Sequence, residues 1–263
     1  MNRNLFWLVV PAMLVGCGGV SSSGGGAGAG DEVQFAGGEV TIGLTEGSDN
    51  PEKVATMAPF SIDKYEVTNA QYKSCVSAGN CTAPAQVGFE LTPDYYTNSD
   101  YADYPVAFVT WTQAAAYCKA QGKRLPTEAE WETAARGTDG RMYPWGSESP
   151  DCSKAHYGDC SAENNASHGP LPVGSLEGGI SPSGAYDMAG NMAEWVSDWY
   201  QNDAYDAWPD GSTPVAPAGG RMKSIRGGSW WCHDDRLVAG RREPMNPYYR
   251  AGNIGFRCAR TAG

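Results

Sequence analysis

From Asp31 the run DEVQFAGGEVTIG alternates apolar and polar positions, the two-residue period of an edge strand or a hairpin. Phe60 to Val67 reads as a short strand feeding a helix. Thr68 is followed three positions on by Gln71, a capping-box pattern, and Gly79 supplies a C-terminal stop. The same grammar recurs in VTWTQAAAYCKAQGKRLPTEAEWETAARG. Thr110 with Gln113 caps one helix ending at Gly122, Thr127 with Glu130 caps a second ending at Gly137, and Pro126 separates the two. Beyond Gly137 turns dominate: YPWG, CSKAHYGDC and GPLPVGSLEGG leave room only for isolated short strands. GAYDMAGNMAEWVSDWY and MKSIRGGSWWC follow, and NIGFRCAR reads as a closing strand.

No internal repeat and no shift in composition divides residues 36 to 263, so one domain is expected there. The 34 Gly and 17 Pro, with few long periodic apolar segments, point away from helical bundles and βαβ arrays and toward a loop-rich, irregular α+β fold. The formal net charge of −11, with no basic stripe, argues against a nucleic-acid partner.

Ahead of that domain, MNRNLFWLVVPAMLVGC has a basic start with Arg3, an apolar run from Leu5 to Val15 and a small residue before Cys17. The run is too short for a settled transmembrane span and reads as a signal segment, residues 1–16. Leu14-Val15-Gly16-Cys17 resembles the bacterial lipobox, which implies a lipid-modified Cys17 as the mature N-terminus. Residues 17–35, with GGVSSSGGGAGAG immediately after Cys17, read as a flexible tether. Gly18 in place of Asp resembles the sorting pattern of the outer membrane. The expected location is thus the cell envelope, lipid-anchored and facing the periplasm or the cell surface, with the lipid as the membrane contact.

The cysteines are 17, 75, 81, 118, 152, 160, 232 and 258. With Cys17 lipidated, seven remain in an oxidising compartment, so at least one thiol is left over. Cys75–Cys81 and Cys152–Cys160 read as local disulfides, each closing a short loop that carries a Gly. None of the spacings is a zinc ribbon. Cys118, Cys232 and Cys258 remain, one of them unpaired.

The segments IDKYEVTNAQY, PVAFVTWTQAAAYCKAQGKRLPTEAEWETAARG, YPWG, GAYDMAGNMAEWVSDWY, RGGSW and NIGFRCAR, in this order, resemble the formylglycine-generating enzyme family, also called the sulfatase-modifying factor family. The resemblance spans essentially residues 36–263. It implies an irregular α+β fold likened to C-type lectins. It also implies an activity that oxidises a sulfatase cysteine to formylglycine with dioxygen and copper(I) held by two cysteines. Non-catalytic members exist, so family alone does not fix activity. The resemblance further implies a Cys118–Cys258 disulfide, which leaves Cys232 as the free thiol.

In the catalytic relatives one cysteine lies three residues beyond the RGGS serine and a second five residues later. Ser229, Cys232 and His233 match the first part and are the candidate catalytic residues. Leu237 stands at the second cysteine's place. Copper(I) prefers two thiolates in near-linear coordination, and one cannot clamp it. His233 is a poor substitute if the segment is extended, because adjacent strand residues face opposite sides. The turn GAYDMAGNMAEW resembles a family calcium loop, implying ligands from Asp187, Gly190, Met192 and Glu194, a hard oxygen set that suits calcium. A second family calcium site near His156 is not assigned. Arg241, Arg242 and Arg257 flank the thiol region, where family arginines line a peptide cleft. Trp230, Trp231, Tyr248 and Tyr249 suit a stacking cleft or the core, and the tryptophans of YPWG and AEWVSDWY read as core. Together these features predict an envelope lipoprotein acting as a calcium-stabilised binding or assembly module for an envelope protein or peptide, with impaired oxidase chemistry. The alternative is a copper- and oxygen-dependent oxidase that converts a cysteine of an exported substrate to formylglycine.

Overall fold

The computed structural model describes residues 31–44, 50–163 and 169–262. The signal segment 1–16, Cys17 and most of the tether lie outside the described residues. Among those described, no helix is long and apolar enough to cross a membrane. Strands β1 (Glu32–Phe35), β2 (Gly38–Ile42), β3 (Lys53–Met57) and β4 (Phe60–Asp63) come first. Helices α1 (Asn69–Ser77), α2 (Trp111–Ala120), α3 (Glu128–Arg136) and α4 (Gly158–Glu163) follow, then β5 (Ala193–Trp199), β6 (Lys223–Arg226), β7 (Glu243–Met245), β8 (Ile254–Gly255) and β9 (Ala259–Thr261).

These strands form three small sheets, ordered β1-β4-β9, β2-β3 and β7-β6-β5-β8. The DEVQFAGGEVTIG run is therefore not a hairpin on itself: β1 is an edge strand against β4, and β2 pairs with β3. Since Glu32 pairs with Asp63 and Phe35 with Phe60, the tether expected to reach residue 35 ends before Glu32. Phe35 stacks on Phe60 with ring centroids 4.7 Å apart, a contact a free tether would not make. NIGFRCAR also divides. Its Ile254–Gly255 end runs parallel to β5 and its Ala259–Thr261 end pairs with β4, so the closing strand sews two sheets together.

All three long helices carry complete capping boxes, Thr68 with Gln71, Thr110 with Gln113 and Thr127 with Glu130. Each box satisfies two amide donors that a helix start otherwise leaves open. Helix α3 is buried on every side, Glu128, Glu130, Glu132 and Arg136 included, which makes it the central element rather than an amphipathic cover. The disulfides are Cys75–Cys81, Cys152–Cys160 and Cys118–Cys258. The last joins α2 to the link between β8 and β9 across a separation of 140 residues. By chain entropy such a closure contributes about 4 to 5 kcal/mol.

Candidate functional site

Strand β6 ends at Arg226, and Gly227 and Gly228 follow with φ of 91° and 68°, a left-handed pair that glycine adopts without strain. A Cβ on Gly227 would come within 3.0 Å of the Trp131 ring, so this turn lies directly on α3. The turn throws the chain outward into Ser229-Trp230-Trp231-Cys232, where the Cys232 amide donates to the Ser229 carbonyl at 3.0 Å. His233 then opens a short 3-10 turn, Asp234–Arg236. The segment is thus a turn and not a strand, so the opposite-face argument about His233 does not apply. Cys232, His233 and Ser229 all line one cleft of about 260 Å³, with Arg236, Arg241, Glu243 and Asn253.

Cys232 is a free cysteine, half-buried. The Ser229 amide points at its Sγ from 3.1 Å, and the Asn253 side chain donates to Ser229 Oγ at 3.1 Å. Burial pushes the Cys232 thiol above its ordinary pKa. The Ser229 amide pulls it down, and the Glu243 and Asp235 carboxylates add to the rise. Leu237 is wholly buried in an apolar cluster with Ala155, Tyr157, Cys160 and Ala189, against which Cys232 also packs. Leu237, expected from the family resemblance to stand in place of a second cysteine, thus belongs to the apolar cluster on which the thiol-bearing residue packs. Among the described residues no three His, Cys, Asp or Glu side chains gather at metal-binding distance. One thiolate beside a leucine does not fit the two-thiolate demand of copper(I).

A second, larger cleft of about 630 Å³ adjoins the first through Trp231 and Asn253. Phe89, Phe108 and Trp230 form its floor, while Leu91, Trp231 and Tyr249 stand at its rim with more than half of their surface exposed. Trp230 is thus core and Trp231 is cleft: the two indoles meet edge to face at 5.3 Å. Tyr248 is exposed as well. Of the tryptophans read as core, Trp195 is fully buried, and Trp145 and Trp199 are half-buried.

The arginines separate in the same way. Arg241 lies at the thiol cleft, within 3.5 Å of Glu243 and Asp235. Arg242 instead turns inward to Glu128, at 2.5 Å through Nε, and Arg257 is wholly buried on Glu194. These buried pairs escaped the sequence reading, although EAEWETAAR places Glu128, Glu132 and Arg136 at helical spacings on one short helix. Glu132 accepts from the Gly43 amide, Arg136, Tyr205 and Arg226.

The proposed calcium turn has Asp187 and Asn191 in left-handed backbone, both at φ 58°. Asp187 Oδ2 accepts from the Gly174 amide at 2.7 Å. Gly190 packs against His156, and Met192 is buried with its amide donating to Glu66 Oε1 at 2.9 Å. Glu194 Oε1 accepts from Arg257 Nη2 (2.6 Å) and Nε (3.0 Å), and Oε2 from Arg257 Nε (2.8 Å) and Trp131 Nε1 (2.9 Å). Glu66, Asp187 and Glu194 share the single Arg257, so the buried turn carries more carboxylate than cation. Burial raises the Asp187 pKa to about 6, with the Gly174 amide and Arg257 opposing. The same desolvation, joined by Asp187 and Glu194, pushes Glu66 well up. Among the described residues Glu66, Asp187 and Glu194 do not gather at metal-binding distance, so a cation here would depend on Asp187 and backbone oxygens. Glu194 is already filled by nitrogen donors.

Residues 25–262 match the family of the sulfatase-modifying factor enzyme 1-like domain. The chain is 33% identical over 282 residues to the formylglycine-generating enzyme of Streptomyces coelicolor, covering 88% of this chain and 89% of that protein. It is 30% identical over 281 residues to a Bos taurus protein named inactive C-alpha-formylglycine-generating enzyme 2, covering 88% of each. Among solved structures, PvdO from Pseudomonas aeruginosa superposes with a TM-score of 0.71 at 27% identity, over 88% of this chain and 94% of that one.

Proposed function

Because the chain belongs to the sulfatase-modifying factor, or formylglycine-generating enzyme, family, we propose that it uses the family's fold and cleft as a binding or assembly module, with the oxidase chemistry impaired. The observation that carries this reading is Leu237, wholly buried in the apolar cluster on which Cys232, the free thiol among the described residues, packs. Without a second thiolate the site has no copper(I) clamp. A relative named inactive gives the reading a precedent.

The ligand class is an extended peptide segment of an envelope protein. Trp231, Tyr249 and Leu91 offer exposed apolar surface over a floor of Phe89 and Trp230. Gln86, Glu90, Arg250 and Asn253 supply polar groups that could meet a peptide backbone. The second reading, a copper-dependent oxidase acting on a cysteine, draws on the 33% identity to the Streptomyces coelicolor enzyme and on the half-buried thiol beside the cleft. An array of cysteine-containing and cysteine-free peptides, probed with the wild type and with Trp231→Ala, decides between them. The binding role predicts retention lost in the variant and no aldehyde on any cysteine peptide after incubation with copper(I) and dioxygen. Retention unaffected by the variant, or aldehyde formation, contradicts it.

The envelope placement rests on the apolar Leu5–Val15 run and the Cys17 lipobox pattern, and three disulfides fit an oxidising compartment. Calcium belongs to the same proposal. Asp187 and the carbonyls of Gly190 and Met192 would hold it, Glu194 joining only by giving up bonds to Arg257 or Trp131. A chelator should then lower the wild-type melting temperature by several degrees and leave Asp187→Asn unmoved. No chelator effect on the wild type removes calcium from the account.

A further inference from the structure

The loop closed by Cys152 and Cys160 lies against the backbone of the free cysteine, Cys232. Cys160 is buried in the same apolar cluster as Leu237, and Cys152 and Cys232 both pack on that cluster. Within the loop, the Gly158 amide donates to the Cys232 carbonyl at 2.8 Å, and a Cβ at Gly158 would meet that carbonyl oxygen at 2.8 Å. The loop is pinned a second time where the Asn191 amide donates to the His156 carbonyl, also at 2.8 Å. Both anchors are backbone hydrogen bonds, one of them to Cys232 itself. Three cysteine sulfurs thus share one small apolar cluster in a chain whose other described cysteines are paired elsewhere.

We propose that Cys232 and the Cys152–Cys160 disulfide form an intramolecular thiol–disulfide exchange couple. The Cys232 thiolate attacks Cys160 Sγ, a Cys160–Cys232 bond forms as the Cys152–Cys160 bond breaks, and Cys152 leaves as the thiolate that takes up the proton Cys232 released. One disulfide and one thiol stand on each side, so no outside oxidant or reductant is consumed. Cys160 is the sulfur attacked because it follows Gly158, the residue bonded to the Cys232 backbone, and is the buried member of the pair. Cys152 is the half-exposed member and can leave into water. The exchange moves the free thiol from Cys232, which lines the cleft, to half-exposed Cys152 outside it, and ties Cys232 into a disulfide. It is independent of any peptide ligand and needs only the thiol itself.

Only the thiolate attacks, and burial with Glu243 and Asp235 nearby keeps it scarce at neutral pH. The exchange should therefore quicken about tenfold per pH unit below the thiol's pKa. Full-length protein purified without reductant is held at pH 6, 7.5 and 9, quenched in acid, labelled with N-ethylmaleimide, digested without reduction and mapped by mass spectrometry. The label should move from Cys232 to Cys152, and a Cys160–Cys232 linked peptide should accumulate with the stated pH dependence. Label that stays on Cys232 at pH 9, or that moves to Cys160, overturns the proposal. Cys152→Ser supplies an independent check: with oxidised glutathione it should close a Cys160–Cys232 bond quantitatively. Two thiols that stay free or take glutathione separately contradict it.

Discussion

Arg226 and Cys232 lie a few positions apart on one turn, yet they belong to regions built on opposite principles. On the α3 side, the carboxylate of Glu132 is met by four hydrogen-bond donors and that of Glu194 by three, and Arg242 is held by Glu128. On the cleft side the thiol is free, His233 is exposed, and Trp231 and Tyr249 stand in solvent. A buried ion pair is costly to break because its survivor remains in low dielectric, whereas an exposed ring can be removed with little penalty. The first region therefore fixes the shape, and the second is free to carry a function.

The largest effect expected of this contrast is on Arg257. Arg257→Ala leaves Glu194 buried with Trp131 as its remaining side-chain donor, and should cost about 3 to 5 kcal/mol in urea unfolding. A loss below about 1 kcal/mol would mean that the buried side is not what fixes the fold.

Next comes the pH response of Asp198. Burial, with Glu128 beside it, raises this carboxyl from 3.8 to about 7, against hydrogen bonds from Ser197 and the Glu128 amide. A group that holds its proton more tightly when folded stabilises the fold at low pH, so its contribution is lost as pH rises from about 4 through about 7. The expected loss is on the order of a few kcal/mol at most. Asp198→Asn should flatten stability across that window, measured by denaturant titration at several pH values. An unchanged slope would show that Asp198 titrates alike in the folded and unfolded chains. The smallest effect is at Trp231: Trp231→Ala should shift stability by no more than about 0.5 kcal/mol while removing peptide retention. A larger loss would place Trp231 with the core and erase the distinction between the two regions.

The three long helices were legible because their signals are local, whereas the short α4 stands where only isolated short strands were expected. Thr68, Thr110 and Thr127 each announce a start three residues before Gln or Glu, and the structure forms all three boxes. The sheets were legible only in part, since short strands take their partners from far along the chain. Nothing within NIGFRCAR says that its two ends join different sheets. Glu194 reads in sequence as a polar residue of a calcium turn, and only the fold brings Arg257 against it. The lone thiol was visible from cysteine parity and the family pattern. Its setting was not, because Gly227 and Gly228 turn an apparently extended segment outward and bring His233 to the same cleft as Cys232.

The central claim is that Leu237 leaves this family member without a copper(I) clamp. The direct measurement is a competition titration of the purified protein with copper(I) and a chromogenic chelator, run on wild type, Cys232→Ser and Leu237→Cys. The account predicts no tight one-to-one site in the wild type, no change in Cys232→Ser, and a gain of at least about 100-fold in affinity in Leu237→Cys, where two thiolates can act together. Tight stoichiometric binding by the wild type that disappears in Cys232→Ser would contradict it.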